Sequence, residues 1–163
     1  MLLPVAGIVN DSIVDGPGLR MTVFVQGCPH KCKGCHNPET HSLEGGQLID
    51  TEEIAKRALE NPLLDGLTFS GGEPFLYTKA LCDLADRVIP KGLNIIAYTG
   101  YLWENLIVDK DAFELIKRCK YVIDGPFIEE ERSLLLNFRG SKNQRIIDVE
   151  KSLETGICQC VEL

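Results

Sequence analysis

The stretch "RMTVFVQGCPHKCKGCHNPETH", Arg20–His41, joins two kinds of sequence without a break. Its first eight residues alternate and are rich in β-branched and aromatic side chains, the signature of a strand. From Gly27 onward it holds three of the chain's seven cysteines and all three of its histidines. A strand that runs straight into soft metal ligands places chemistry at its carboxyl end, where open α/β sheets bind their ligands.

Working outward, strands and helices alternate. "DTEEIAKRALEN" (Asp50–Asn61) predicts a helix that Asp50 or Thr51 can cap, with Ile54, Ala55, Ala58 and Leu59 on one apolar face. "GLTFS" (Gly66–Ser70) reads as a short buried strand ending in "GGEP". A helix over Thr78–Ile89, a strand over Leu93–Thr99, a helix near Asp111–Arg118 and a strand over Lys120–Gly125 follow. The end is less regular, with a strand at Arg145–Val149. About four to six strands separated by helices imply βαβ crossovers and a mainly parallel sheet. A closed eight-fold barrel needs about 250 residues. The expected fold is therefore α/β, an open partial (β/α) barrel. Cys28, the Gly71–Glu73 turn, Thr99–Gly100 and Asp124–Gly125 then all fall at strand ends on one rim.

The length of 163 residues suggests one domain over 1–163, with the cysteine loop at 27–41 and a less regular tail at 150–163. A net charge of −7 argues against a nucleic-acid partner, because an acidic surface repels phosphates. The segment from Arg132 to Arg145 breaks that trend: it contains Arg132, Arg139, Lys142 and Arg145 and no acid, as a solvated loop or a docking surface would. The N-terminus lacks the basic region and apolar run of a secretory signal. No run approaches the about 18 apolar residues of a membrane span. A cytoplasmic location is expected, and there clustered cysteines read as metal-binding or catalytic rather than as disulfides.

Cys28, Cys32 and Cys35 form C-x3-C-x2-C. Thiolates favour zinc, copper(I) or iron–sulfur clusters. A structural zinc would need a fourth ligand, which His36 or His41 could supply. A cubane cluster is ordinarily held by four cysteines, yet Cys82, Cys119, Cys158 and Cys160 lie far along the chain. Three local thiolates would leave one iron without a protein ligand, and an open coordination position marks a reactive metal. Gly27, Gly34, Pro29 and Pro38 let the loop curl, and Lys31 and Lys33 can offset cluster charge. Cys82 and Cys119 read as small core residues, and Cys158 and Cys160 as incidental thiols on the tail.

C-x3-C-x2-C after a strand, with "GGEP" later, resembles the radical S-adenosylmethionine superfamily. The resemblance implies a 4Fe-4S cluster on Cys28, Cys32 and Cys35 whose fourth iron chelates the methionine moiety of S-adenosylmethionine. In that superfamily the reduced cluster cleaves the sulfonium and releases a 5′-deoxyadenosyl radical. The "SGGEP" loop, with Ser70, Gly71, Gly72 and Glu73, would hold the cofactor's amino group. Thr99 offers a hydroxyl for the ribose or the methionine carboxylate. Asp124 would bind a ribose hydroxyl or a small cation, or else cap a helix.

"VDGPGLR" (Val14–Arg20) is strong turn chemistry and also looks like the segment ahead of the cysteines in activases of glycyl-radical enzymes. "YTGY", "VIDGPF" and "FRGSKNQRIIDV" look like the activating proteins of anaerobic (class III) ribonucleotide reductase. Gly34 stands where related activases carry an aromatic residue against the adenine, which leaves His36 to cover that ring. Arg139, Asn143, Gln144 and Arg145, with Arg20, are donors for the pocket or for a partner's glycine loop.

The resemblance thus implies abstraction of a hydrogen atom from a glycine of anaerobic ribonucleoside-triphosphate reductase, with an electron from a flavodoxin-like donor. Two other readings stay open. One is an activase of another glycyl-radical enzyme or a radical enzyme acting on a small molecule; the other is a non-catalytic iron–sulfur or zinc module.

Overall fold

A computed structural model describes residues 1–35 and 37–163. Its strands are β1 (Leu2–Ser12), β2 (Arg20–Val25), β3 (Gln47–Asp50), β4 (Gly66–Gly71), β5 (Asn94–Tyr98), β6 (Tyr121–Asp124) and β7 (Arg145–Asp148). Its helices are α1 (Thr51–Leu59), α2 (Thr78–Val88), α3 (Trp103–Leu106), α4 (Lys110–Ile116) and α5 (Val149–Thr155). The strands form one sheet in the order β3-β1-β2-β4-β5-β6-β7.

The centre of the sheet, β2-β4-β5-β6, is parallel, with Val23 opposite Phe69 and Phe69 opposite Ala97. Both flanks are antiparallel: β1 pairs with β2 and β3, and β7 pairs with β6. Among the described residues no pairing joins β3 to β7, so the sheet is open.

Period-two alternation gives the sheet two different faces. Met21, Val23, Val25, Leu67, Phe69, Ile95 and Ala97 pack with Ile54 and Ala58 of α1 and Leu81 and Leu84 of α2. Each of the Val, Leu, Ile, Phe and Met side chains among them, when fully buried, contributes about 1.5–3 kcal/mol. The other face carries a smaller cluster of Ile96, Ile123 and Ile146 with Tyr98 and Phe138 against it. Beside that cluster lies a polar layer. Arg20 Nε donates to Thr68 Oγ1 at 2.8 Å, and the Thr68 hydroxyl donates to the Asp15 carbonyl at 2.7 Å. The hydroxyls of Ser12 and Thr22 both donate to Asp15 Oδ2, at 2.6 and 3.0 Å.

Seven strands exceed the expected four to six. The additional pair is β1 and β3. In β1, Pro4, Gly7, Asn10 and Asp11 break the alternation, and the ladder bulges between Val5 and Gly7 and again between Val9 and Ser12. β3 is only four residues long, too short for a periodic signal. The tail is also more ordered than expected. Asp148 caps α5 by accepting from Lys151 N, Gly156 closes it at φ 72°, and Cys160 then bridges to Ile147 on the β7 edge. Cys119 is buried in the core, as expected, and Cys82 packs against it.

Candidate active site

The site starts where β2 stops. Gly27 turns the chain at φ 108°, and two backbone bonds close the neck of the cysteine loop: Gly27 N to Thr40 O at 2.6 Å and Cys28 N to His41 O at 3.1 Å. The loop after β4 is stitched to the same neck. Gly72 N donates to Val25 O at 2.9 Å and Glu73 N to Gly27 O at 2.7 Å. A Cβ on Gly72 would collide with the Gly27 carbonyl, so the approach requires glycine.

Cys28, Cys32 and Cys35 all line one cavity of about 680 Å³, shared with Ser70, Gly71, Gly72 and Thr99. That volume is within the range of small-molecule sites. Cys82, Cys119, Cys158 and Cys160 lie outside the lining. Burial pushes the Cys28 and Cys35 thiols above their usual range, so metal loading must displace their protons. Among the described residues no three His, Cys, Asp or Glu side chains converge on a position for a single ion. A cubane takes one thiolate on each of several corners, so ligands spread around one cavity fit it.

Glu73 is fully buried rather than presented to the cavity. Its Oε1 lies 2.5 Å from His30 Nε2 and accepts from Gly100 N at 2.8 Å, while Oε2 accepts from Phe75 N at 3.1 Å. His30, which does line the cavity, stands edge-on to Tyr101 with ring centroids 4.5 Å apart. A Cβ on Gly100 would strike the His30 ring. His30 is thus wedged between the carboxylate and the cavity.

Thr99 is buried on the lining, and its Oγ1 accepts from Tyr101 N at 3.0 Å. Asp124 is placed differently from its expected cofactor-facing position. It is fully buried off the lining, where Oδ2 accepts from Trp103 N at 2.8 Å and both oxygens take Arg145, at 3.0 and 2.5 Å. Asp124 is not the N-cap residue of α3, which is Leu102; its carboxylate accepts from the first N–H of that helix across the fold. Arg145 also grips Glu104 at 2.9 and 2.8 Å, and these carboxylates push its pKa up. Arg145 and Asn143 therefore hold structure rather than line the pocket; Asn143 Nδ2 donates to Pro126 O at 2.7 Å.

Arg20 lies beneath the cavity, not on it. It is 1% exposed, and it also donates to Pro17 O, Leu67 O and Asn94 O. Burial pulls its pKa down to about 10. Gln144 and Arg139 do reach the lining. Gln144 Oε1 accepts from Gly140 N at 2.8 Å, and Arg139 Nε is buried with no partner among the described residues. The expectation for His36 lies outside the described residues.

A family model described as "4Fe-4S single cluster domain" matches residues 14–147. The chain is 36% identical over 144 residues to the anaerobic ribonucleoside-triphosphate reductase-activating protein of Haemophilus influenzae, covering 82% of this chain and 90% of that one. It is 37% identical, over the same shares, to the protein of that name from Vibrio cholerae. The chain belongs to the anaerobic ribonucleoside-triphosphate reductase-activating protein family. A pyruvate formate-lyase-activating enzyme of Clostridium pasteurianum is 39% identical over 104 residues, 60% of this chain and 44% of that enzyme.

Seen as a member of this activase family, the chain holds two cavity residues that its sequence did not single out. His30 sits between the first two cysteines, and its one visible signal was the company of soft ligands. Asp15 lies within "VDGPGLR", where turn chemistry masked a carboxylate that the fold brings to the cysteine side.

Proposed function

We propose that this chain is the activase that generates the glycyl radical of an anaerobic ribonucleoside-triphosphate reductase. One observation carries the reading: three cysteines and the Gly71–Gly72 turn, from the ends of neighbouring parallel strands, line a single cavity with no fourth cysteine on it. When bound, a reduced 4Fe-4S cluster and S-adenosylmethionine supply reductive cleavage of the sulfonium and the hydrogen-abstracting radical.

The chain's own residues do the holding. Cys28, Cys32 and Cys35 would bind three irons as thiolates. Gly71 and Gly72 bring backbone polar groups close to the cofactor, and Ser70 and Thr99 offer hydroxyls beside them. Glu73 acts through His30, fixing a ring that lines the cavity and would meet a bound cofactor. Arg139, on the lining, would place its guanidinium near a bound carboxylate or peptide carbonyl. The aromatic residues Phe24, Tyr98 and Phe138 also line the cavity. We take the sheet as a partial barrel whose open side admits a peptide loop. We also assign a flavodoxin-like donor and an oxygen-poor cytoplasm; the support is the need for a low-potential electron and an oxygen-sensitive cluster. Among the described residues no helix is long and apolar enough to cross a membrane.

A second reading, an activase of another glycyl-radical enzyme, is favoured by the likeness to the pyruvate formate-lyase-activating enzyme, although the chain spans less than half of that protein. Anaerobic reconstitution with iron and sulfide tests the proposal. The expected result is reductive cleavage of S-adenosylmethionine, followed by a glycyl-radical doublet in electron spin resonance when the reductase is added. Cleavage with no doublet on the reductase, but one on pyruvate formate-lyase, would favour the second reading.

A further inference from the structure

The most exposed large apolar side chains among the described residues are Leu135 at 94% and Leu134 at 84%. They are neighbours, and they sit at the tip of a built hairpin. Lys142 N donates to Glu131 O, Arg132 bridges Ser141, and Ser133 N donates to Gly140 O. Tyr98 Oη donates to Phe138 O at 2.7 Å, and Phe138 itself holds φ 61°, a left-handed conformation that a phenylalanine adopts only when its surroundings demand it. The tip is therefore displayed by design of the backbone. Leu136 and Phe138, on the same tip, line the cysteine cavity. Ile13 and Val14, 73% and 72% exposed, belong to the β1–β2 loop, and Val14 lines that cavity too.

Adjacent exposed apolar residues of this size are characteristic of interaction sites. The rim has a sign. Arg132 and Lys142 are exposed and make no ion pair among the described residues, in a chain of net charge −7. Among the described residues the one ion pair of Arg139 is with the exposed Glu162, at 3.4 Å. Arg132 and Lys142 flank the hairpin's foot, next to Glu129, Glu130 and Glu131, so carboxylates of a partner lying along the hairpin meet them just below the apolar tip.

Resting on the activase reading above, we propose that the 132–142 hairpin docks the reductase segment that carries the target glycine. That segment would set apolar side chains against Leu134 and Leu135, with carboxylates beside them facing Arg132 and Lys142. Continuity with the cavity is the reason for choosing this occupant: a peptide seated on the tip is already at the mouth into which its glycine must go.

The test uses the full reconstituted chain and the intact reductase. Leu134→Ser/Leu135→Ser and Arg132→Glu/Lys142→Glu change only exposed groups off the cavity lining. Both double variants are expected to cleave S-adenosylmethionine with a chemical reductant within about twofold of the parent, as surface substitutions should. The leucine variant is expected to bind the reductase at least tenfold more weakly and to lose glycyl-radical yield in parallel. The charge variant is expected to weaken binding and to flatten its salt dependence. Reductase binding and radical yield equal to the parent's, with cleavage intact, would overturn the docking surface alone. A parent dimer that the leucine variant splits, with reductase binding unchanged, would also overturn it, by making the occupant a second copy. Failure of the parent itself to cleave the cofactor would sink the activase reading and this inference together.

Discussion

Glu73 has no solvent exposure, and each of its oxygens accepts from a backbone N–H. Removing it would leave the Gly100 and Phe75 N–H groups without acceptors, at about 1–3 kcal/mol for each buried orphan. Glu73→Ala is expected to cost about 2–4 kcal/mol of stability in urea denaturation of the metal-free chain, and Glu73→Gln to recover only part of it, since its one oxygen can accept from Gly100 N or Phe75 N while its NH2 must face the other donor. Gly72→Ala makes a different test. Its Cβ would drive the turn after β4 off the Gly27 carbonyl, so cofactor cleavage is expected to fall more than tenfold while far-ultraviolet circular dichroism keeps the parent's shape. At this scale the cysteines and glycines were readable because their chemistry is local: a thiolate is a ligand wherever it sits, and a crowded turn needs glycine. Asp124 was not readable in the same way. An acid at a strand end looks alike in sequence whether it faces a cavity or a helix. The choice was made by Trp103 N and Arg145, both 21 residues away in sequence.

The α3, β6 and β7 elements meet on one ion network. Asp124 of β6 is fully buried, Arg145 of β7 is partly so, and Glu104 of α3 completes the set. Arg145→Met strands a buried carboxylate and is expected to cost about 3–5 kcal/mol, read as a lower denaturation midpoint. Asp124→Asn/Arg145→Met is expected to recover part of that loss, because no buried charge remains. Recovery of nothing would mean that Arg145 acts by packing alone. Elements with strong periodicity were legible to within a residue or two: α1, α2, β4, β5 and β6 begin and end close to where their apolar patterns do. The elements that escaped are short or irregular. β3 and α3 have four residues each, β1 is bulged, and α5 is a short, largely polar helix of about two turns that Asp148 and Gly156 define at its ends. Parallel pairing could be inferred from alternation with helices, whereas the antiparallel flanks depend on long-range contacts that no local pattern encodes.

Across the whole molecule, seven thiols divide into three that line the cavity and four that do not. Anaerobic reconstitution should therefore give a charge-transfer absorption band that Cys28→Ala, Cys32→Ala or Cys35→Ala each abolishes. Cys158→Ser/Cys160→Ser should leave band and cofactor cleavage unchanged, despite the bridge that seats Cys160 on β7. Loss of the band in the tail variant would mean that the chain borrows a fourth thiolate. The bonds that tie Gly27 to Thr40 and Cys28 to His41 are made by main-chain atoms, independent of any sulfur ligation. Oxygen that strips the iron would leave that lasso knotted. Recovery after exposure to air then becomes a matter of reducing oxidised thiols and restocking iron and sulfide, rather than of any refolding of that neck.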